Sequence, residues 1–148
     1  LSASDAPTAV EALRIGDKLV PAGTAVRVDL PVARLFTGGW LSLPVTVLHG
    51  AKLLEGKTGP RLWLDAAIHG DELNGMEIIR RVLAVLEPAS LAGVVIAVPV
   101  VNVFGFVQQT RYLPDRRDLN RSFPGSPRGS MAARLAHLFI EQVVEKCQ

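Results

Sequence analysis

Cysteine is nearly missing from this chain of 148 residues, where Cys147 stands alone. A single thiol closes no internal disulfide and builds no thiolate-rich metal site. Long apolar runs are missing too. The longest, Val94 to Val101, is far below the roughly 20 residues that span a bilayer, so no membrane partner is expected. Leu1 to Val10 has neither the basic start nor the apolar stretch of a signal peptide. With disulfides excluded, a cytoplasmic setting is the expectation. A large excess of one charge is also lacking, since the formal net charge is only +2, too small to imply nucleic acid. What is present is a globular composition, 49% hydrophobic and 20% charged, at a length suited to one domain with a real core.

Hydrophobic patterning predicts an α/β fold. Residues 1–22 read as a poorly defined approach, and residues 23–148 as the α/β domain. Val26, Val28 and Leu30 alternate with Arg27 and Asp29, the period of a half-buried strand. Leu43 to Leu48 is a second strand candidate, and Gly56 to Pro60 reads as a turn. Arg61 to Ile68 is apolar enough for a central strand. Beyond it Met76, Ile79, Val82, Leu83 and Leu86 share one helical face, turned from Glu77, Arg80 and Arg81, and Pro88 stops the helix. The unbroken apolar run 93–101 suits a strand buried on both faces, so strand, helix and strand make one βαβ unit. A long irregular stretch, 102–129, then precedes a helix over 131–146; loops of such length are often functional. Trp40 and Trp63 are assigned to packing, as are Tyr112 and Phe123, and Glu77 to the surface. His49 and His137 read as surface histidines with no metal role.

Two segments carry chemistry. In open α/β sheets ligands bind beyond the carboxyl ends of strands, where His69-Gly70-Asp71-Glu72 lies. A histidine and a carboxylate three apart at such a corner can converge on one ion. Gly70 and Gly75 allow a tight turn there, and Asp71 reads at least as readily as a helix N-cap as a catalytic group. The second segment runs from Arg111 to Gly125. Between Arg111 and Arg128 five arginines outnumber two aspartates, a cationic patch for an anionic molecule. Without interleaved aromatics or a basic helix it is not expected to bind nucleic acid.

Together these segments resemble the succinylglutamate desuccinylase and aspartoacylase family of zinc-carboxypeptidase-like hydrolases. The matching text is His69-Gly-Asp-Glu72, Asn102 with Gly105-Phe106, Arg111-Tyr112, Asp118-Leu-Asn-Arg121 and Phe123-Pro-Gly125. The resemblance covers about residues 43 to 146. It implies a mixed, mostly parallel sheet with flanking helices, preceded by short N-terminal strands and incomplete in this chain.

The resemblance also implies roles. His69 and Glu72 would ligate zinc, and Asp118 would hold the His69 imidazole by its other nitrogen. Asn120 and Arg121 would grip a substrate carboxylate, and Arg111 would stabilise the oxyanion. Because the spacing from Arg111 to Arg121 is slightly long for the family, Arg116 or Arg117 is an alternative to Arg111. The implied reaction is hydrolysis of an N-acyl amino acid amide, with zinc lowering the pKa of its bound water toward ~7. The partner is then a small carboxylate-bearing N-acyl amino acid, and a homo-oligomer stays open. The family's third zinc ligand, a histidine, and its proton-shuttling glutamate follow the helix matched by 131–146. Neither lies before Gln148, so the chain alone is expected to be inactive. A peptide-cleaving carboxypeptidase and an inactive binding domain of the same fold are the alternatives.

Overall fold

The computed structural model describes residues 10–35, 37–53 and 58–147, so part of the expected Gly56–Pro60 turn falls outside the described residues. Two short strands, β1 (Leu13–Ile15) and β2 (Lys18–Val20), form an antiparallel hairpin. Its two-residue turn opens on Gly16 at φ 56°, a conformation glycine adopts without steric cost. Within the segment 1–22, expected to be poorly defined, residues 13–20 are thus an ordered hairpin, while residues 1–9 lie outside the described residues. Leu13, Ile15 and Val20 are buried in the main core.

A four-stranded sheet follows in the order β3-β4-β6-β5, built from β3 (Thr24–Arg34), β4 (Trp40–His49), β5 (Arg61–Asp65) and β6 (Val94–Val98). The sheet is mixed, as expected, but only β5–β6 is parallel; β3–β4 and β4–β6 are antiparallel. The short link between β3 and β4 permits only an antiparallel pair, whereas β5 and β6 are joined through the helix α1 (Asn74–Val85), as parallel neighbours require. Two prolines in strands are tolerated for local reasons. Pro31 sits beside a register shift on edge strand β3, and Pro44 precedes Thr46, where β6 pairing begins.

The β6 strand lies in the middle and is buried along its whole length. The β5 strand is shorter than expected and is not central, being the outer strand among the described residues. Its Leu62 is 53% exposed and Trp63 38% exposed, and Trp40 on β4 is 61% exposed, so the tryptophans do not fill the core.

The irregular stretch contains helix α2 (Val103–Gln108) and a 3-10 turn at Leu119–Arg121. The final helix α3 (Met131–Gln142) ends in a second 3-10 turn, Val144–Lys146. Leu135 and Phe139 of α3 meet Val28, Leu30, Val45 and Ile96 in one apolar cluster. Truncating such a leucine costs about 2–5 kcal/mol. Phe123 packs edge-on to Phe139 at 5.9 Å between ring centroids. The opposite face is thinly covered: of α1 only Ile79 is fully buried, while Ile78 and Val85 face outward. No helix among the described residues is long and apolar enough to cross a membrane.

His49, expected at the surface, is buried, and its Nδ1 donates to the Val20 carbonyl at 2.9 Å, latching the hairpin to the sheet. His137 is half-buried on α3.

Candidate metal centre

Strand β5 stops early because the chain turns sharply at Ala67, whose φ is 49°. That left-handed value costs a residue with a Cβ roughly 1–2 kcal/mol. The turn is nevertheless held from the β6 side: Ala66 N–H donates to Val98 O at 3.1 Å, while Val101 and Asn102 N–H donate to Ala66 O and Ala67 O at 3.0 and 2.9 Å. His69 is thereby carried inward and is 6% exposed. Gly70 then passes directly over α2. A Cβ at this position would stand 1.9 Å from the Gly105 carbonyl carbon, so only glycine lets the turn lie on the helix. The Glu72 N–H closes the loop on His69 O at 3.1 Å. Asp71 does not cap α1; the N-cap is Leu73, with no side-chain bond.

Three side chains, those of Glu72, Asp118 and Arg111, gather around His69. Its Nδ1 lies 2.8 Å from Glu72 Oε1 and its Nε2 lies 3.1 Å from Asp118 Oδ1. The second Asp118 oxygen accepts from Arg111 Nε and Nη2 at 3.2 and 3.0 Å. The remaining guanidinium nitrogen, Nη1, comes within 4.0 Å of Glu72 Oε1 and closes the ring. Asp118 owes its place to the 3-10 turn it caps, accepting from Asn120 N–H at 2.9 Å, with Leu119 fully buried beside it. Burial by itself would push the Asp118 carboxyl up. Hydrogen bonds from His69, Arg111 and the Asn120 backbone, with the Arg111 charge, outweigh it and hold the group below the usual carboxylate range.

The donor chemistry suits a divalent cation. An imidazole nitrogen and a carboxylate oxygen face each other, while the other ring nitrogen is held by a second carboxylate, as in metal-binding histidines. Carboxylates only accept hydrogen bonds, so both His69 contacts need a proton on each nitrogen, or a cation in place of the Nδ1 proton. No third histidine, cysteine, aspartate or glutamate joins the pair among the described residues.

Arg111, not Arg116 or Arg117, stands at this ring; those two are exposed and outside it. Asn120 and Arg121 are exposed on the adjoining 3-10 turn, and Arg121 has no ion-pair partner among the described residues. Tyr112, assigned to packing, is 49% exposed. Glu77 is a surface charge, as expected, held near pKa 2 by hydrogen bonds from Arg80 and Arg81.

Two residues near the ring had no assigned role. Asp65, at the carboxyl end of β5, lines a cavity of about 520 Å³ with Asp71, Glu72 and the start of α1. Burial raises its carboxyl pKa, partly offset by the hydrogen bond from Trp63. Its position at a strand's carboxyl end was the available signal. Asn102 is fully buried behind the His69 turn. An asparagine between a strand and a helix is an N-cap signal.

Residues 58–148 match the pattern of the Succinylglutamate desuccinylase/Aspartoacylase catalytic domain. The N-alpha-acetyl-L-2,4-diaminobutyric acid deacetylase of Halomonas elongata is 34% identical over 107 residues, 72% of this chain and 30% of that protein. The crystal structure of the succinylglutamate desuccinylase/aspartoacylase from Rhodobacter sphaeroides superposes with a TM-score of 0.70 at 34% identity, over 84% of this chain and 36% of its own. The product-bound ectoine utilization protein EutE (DoeB) from Ruegeria pomeroyi gives 0.71 at 30% identity, over 86% and 39%. The chain thus spans about a third of the length of these relatives.

Proposed function

This chain belongs to the succinylglutamate desuccinylase/aspartoacylase family, and on that premise we propose that it carries part of the site of a zinc-dependent deacylase acting on N-acyl amino acids. The observation that carries the proposal is the closed ring His69–Glu72–Arg111–Asp118. His69 and Glu72 would hold the ion, and it would supply Lewis-acid activation of water and of the amide carbonyl. Asp118 fixes the imidazole by Nε2 and spans across to Arg111, so metal donor and guanidinium are oriented by one carboxylate. The Nη1 edge of Arg111, 4.0 Å from Glu72 and too far for a hydrogen bond to it, would meet the negative charge that develops on the carbonyl oxygen. The side chains of Arg121 and Asn120, exposed and without hydrogen-bond or ion-pair partners among the described residues, would take the substrate carboxylate. The acyl chemistry is supported by the deacetylase and desuccinylase relatives; an acetyl or succinyl group on an amino acid is the substrate class.

The test is amine release from a panel of N-acetyl and N-succinyl amino acids by the protein at its full natural length, stripped with chelator and reloaded with zinc. Activity is expected only after reloading, and none with His69→Ala. Hydrolysis that survives both chelation and His69→Ala sinks the proposal. A second expectation separates the two arginines: Arg121→Ala mainly raises KM, and Arg111→Ala mainly lowers kcat.

A further inference from the structure

Among the described residues, three polar side chains are buried: His49, His69 and Asn102. His49 latches the hairpin and His69 is the metal donor, which leaves Asn102. It lies between β6 and α2, immediately before the helix, and is completely shielded from solvent. Its main-chain N–H donates to Ala67 O at 2.9 Å, inside the turn that delivers His69. Its Oδ1 accepts from Gly105 N–H at 2.8 Å, capping α2, the helix on which Gly70 rests. Its Nδ2 donates to the carbonyl of Arg111 at 3.2 Å. The amide orientation is fixed by its partners, since an N–H must meet the oxygen and a carbonyl must meet the nitrogen.

We propose that Asn102 is a positioning residue for Arg111, setting the main chain of that arginine against the turn that carries His69 and Glu72. A cap alone needs only an acceptor, which serine or aspartate supplies equally well. Asparagine adds a donor, and the donor is spent on Arg111. Arg111 is then held at both ends, its carbonyl by Asn102 and its guanidinium by Asp118. With the first anchor gone the side chain pivots about the second, and Nη1 leaves its station beside Glu72. A misplacement of about 1 Å at a reacting group can cost roughly a hundredfold in rate. The consequence for rate rests on the proposed deacylase reading; the anchoring itself does not.

Asn102→Ser keeps a capping oxygen but is too short to reach Arg111. Asn102→Asp keeps size and cap while turning a second acceptor toward the Arg111 carbonyl. Nitrogen-15 NMR of the Arg111 Nε–H, identified by its loss in Arg111→Lys, reads the anchoring in this chain without any assay of activity. Exchange with solvent is expected to be at least tenfold faster in both variants, with circular dichroism unchanged. Wild-type exchange in either folded variant overturns the proposal. So does failure of both to fold, which would make Asn102 a residue of the scaffold. At full natural length, Asn102→Ser should lower kcat about 10- to 100-fold with KM within about threefold. It should add nothing in an Arg111→Ala background; additive losses also overturn the proposal. If the wild-type protein hydrolyses no N-acyl amino acid, the deacylase reading fails while the exchange measurement still decides the role of Asn102.

Discussion

Asp118 and Asp65 flank the same histidine turn, and their surroundings treat them in opposite ways. On the Asp118 side each oxygen has a donor, Leu119 is buried beneath, and the carboxyl is held low. On the Asp65 side burial raises the carboxyl, α1 begins without a side-chain cap, and Leu62, Trp63, Ile78 and Val85 are exposed. A saturated polar network costs little to bury and holds its members rigidly, whereas a half-satisfied one is expensive. The saturated flank is therefore the frame of the site, and the open flank is where other surfaces have room to act.

The comparison is broken most severely by Gly70→Ala. The added methyl meets the backbone of Gly105 and Phe106, which cannot give way, so the turn must leave α2. We expect a loss of about 3 kcal/mol in denaturant unfolding and, on the proposed zinc reading, loss of zinc binding by competition against a chelator. Asp118→Asn should act next most strongly, weakening zinc affinity about 10- to 100-fold. It should also lower Tm at neutral pH. Because the folded-state pKa of Asp118 is depressed, its contribution is present above the unfolded value near 3.8 and is lost as pH falls through the lower folded value. The Tm difference between Asp118→Asn and wild type should shrink over that acid range.

Asp65 has the opposite sign. With its folded-state pKa raised, it costs stability at neutral pH, and that cost disappears as pH falls through the raised value toward 3.8. Asp65→Asn should raise Tm at pH 7 and not at pH 3; a gain at both would place the effect elsewhere. The open flank also carries the outer edge of β5, unpaired among the described residues, which should drive self-association of this chain. Trp63→Lys is expected to shift sedimentation toward monomer. The smallest effect is that of Ala67→Gly, which removes the left-handed strain and should stabilise by less than about 1 kcal/mol.

How much of this was readable in the residues depended on the range of the signal. Strand β6 and helix α1 were legible because their burial follows local period, five buried residues in a row for one and a single apolar stripe for the other. The hairpin over 13–20 was passed over although Gly16-Asp17 is a turn pair; each of its strands has only three residues. Helix α2 was hidden for a similar reason, with six residues and a glycine inside it. Trp63 looks like core because hydrophobicity says nothing about which strand is outermost. At the site, spacing alone pairs His69 with Glu72, but no local pattern brings Asp118 within reach from 49 residues away. That pairing comes from resemblance to a family, as does the first choice of Arg111; geometry then puts Arg111, and neither Arg116 nor Arg117, at the ring.

The hairpin has a consequence for how the chain is made. Gly16 N–H donates to the side chain of Gln142, a bond between residues 126 positions apart, and Leu13, Ile15 and Val20 share their core with α3. At about 5–20 residues per second, synthesis leaves these early apolar residues waiting roughly 6–25 s for the helix that covers them. Among the described strands, β1 and β2 leave the ribosome before the others yet are among the last to be sheltered, which makes residues 13–20 a natural foothold for a chaperone during translation.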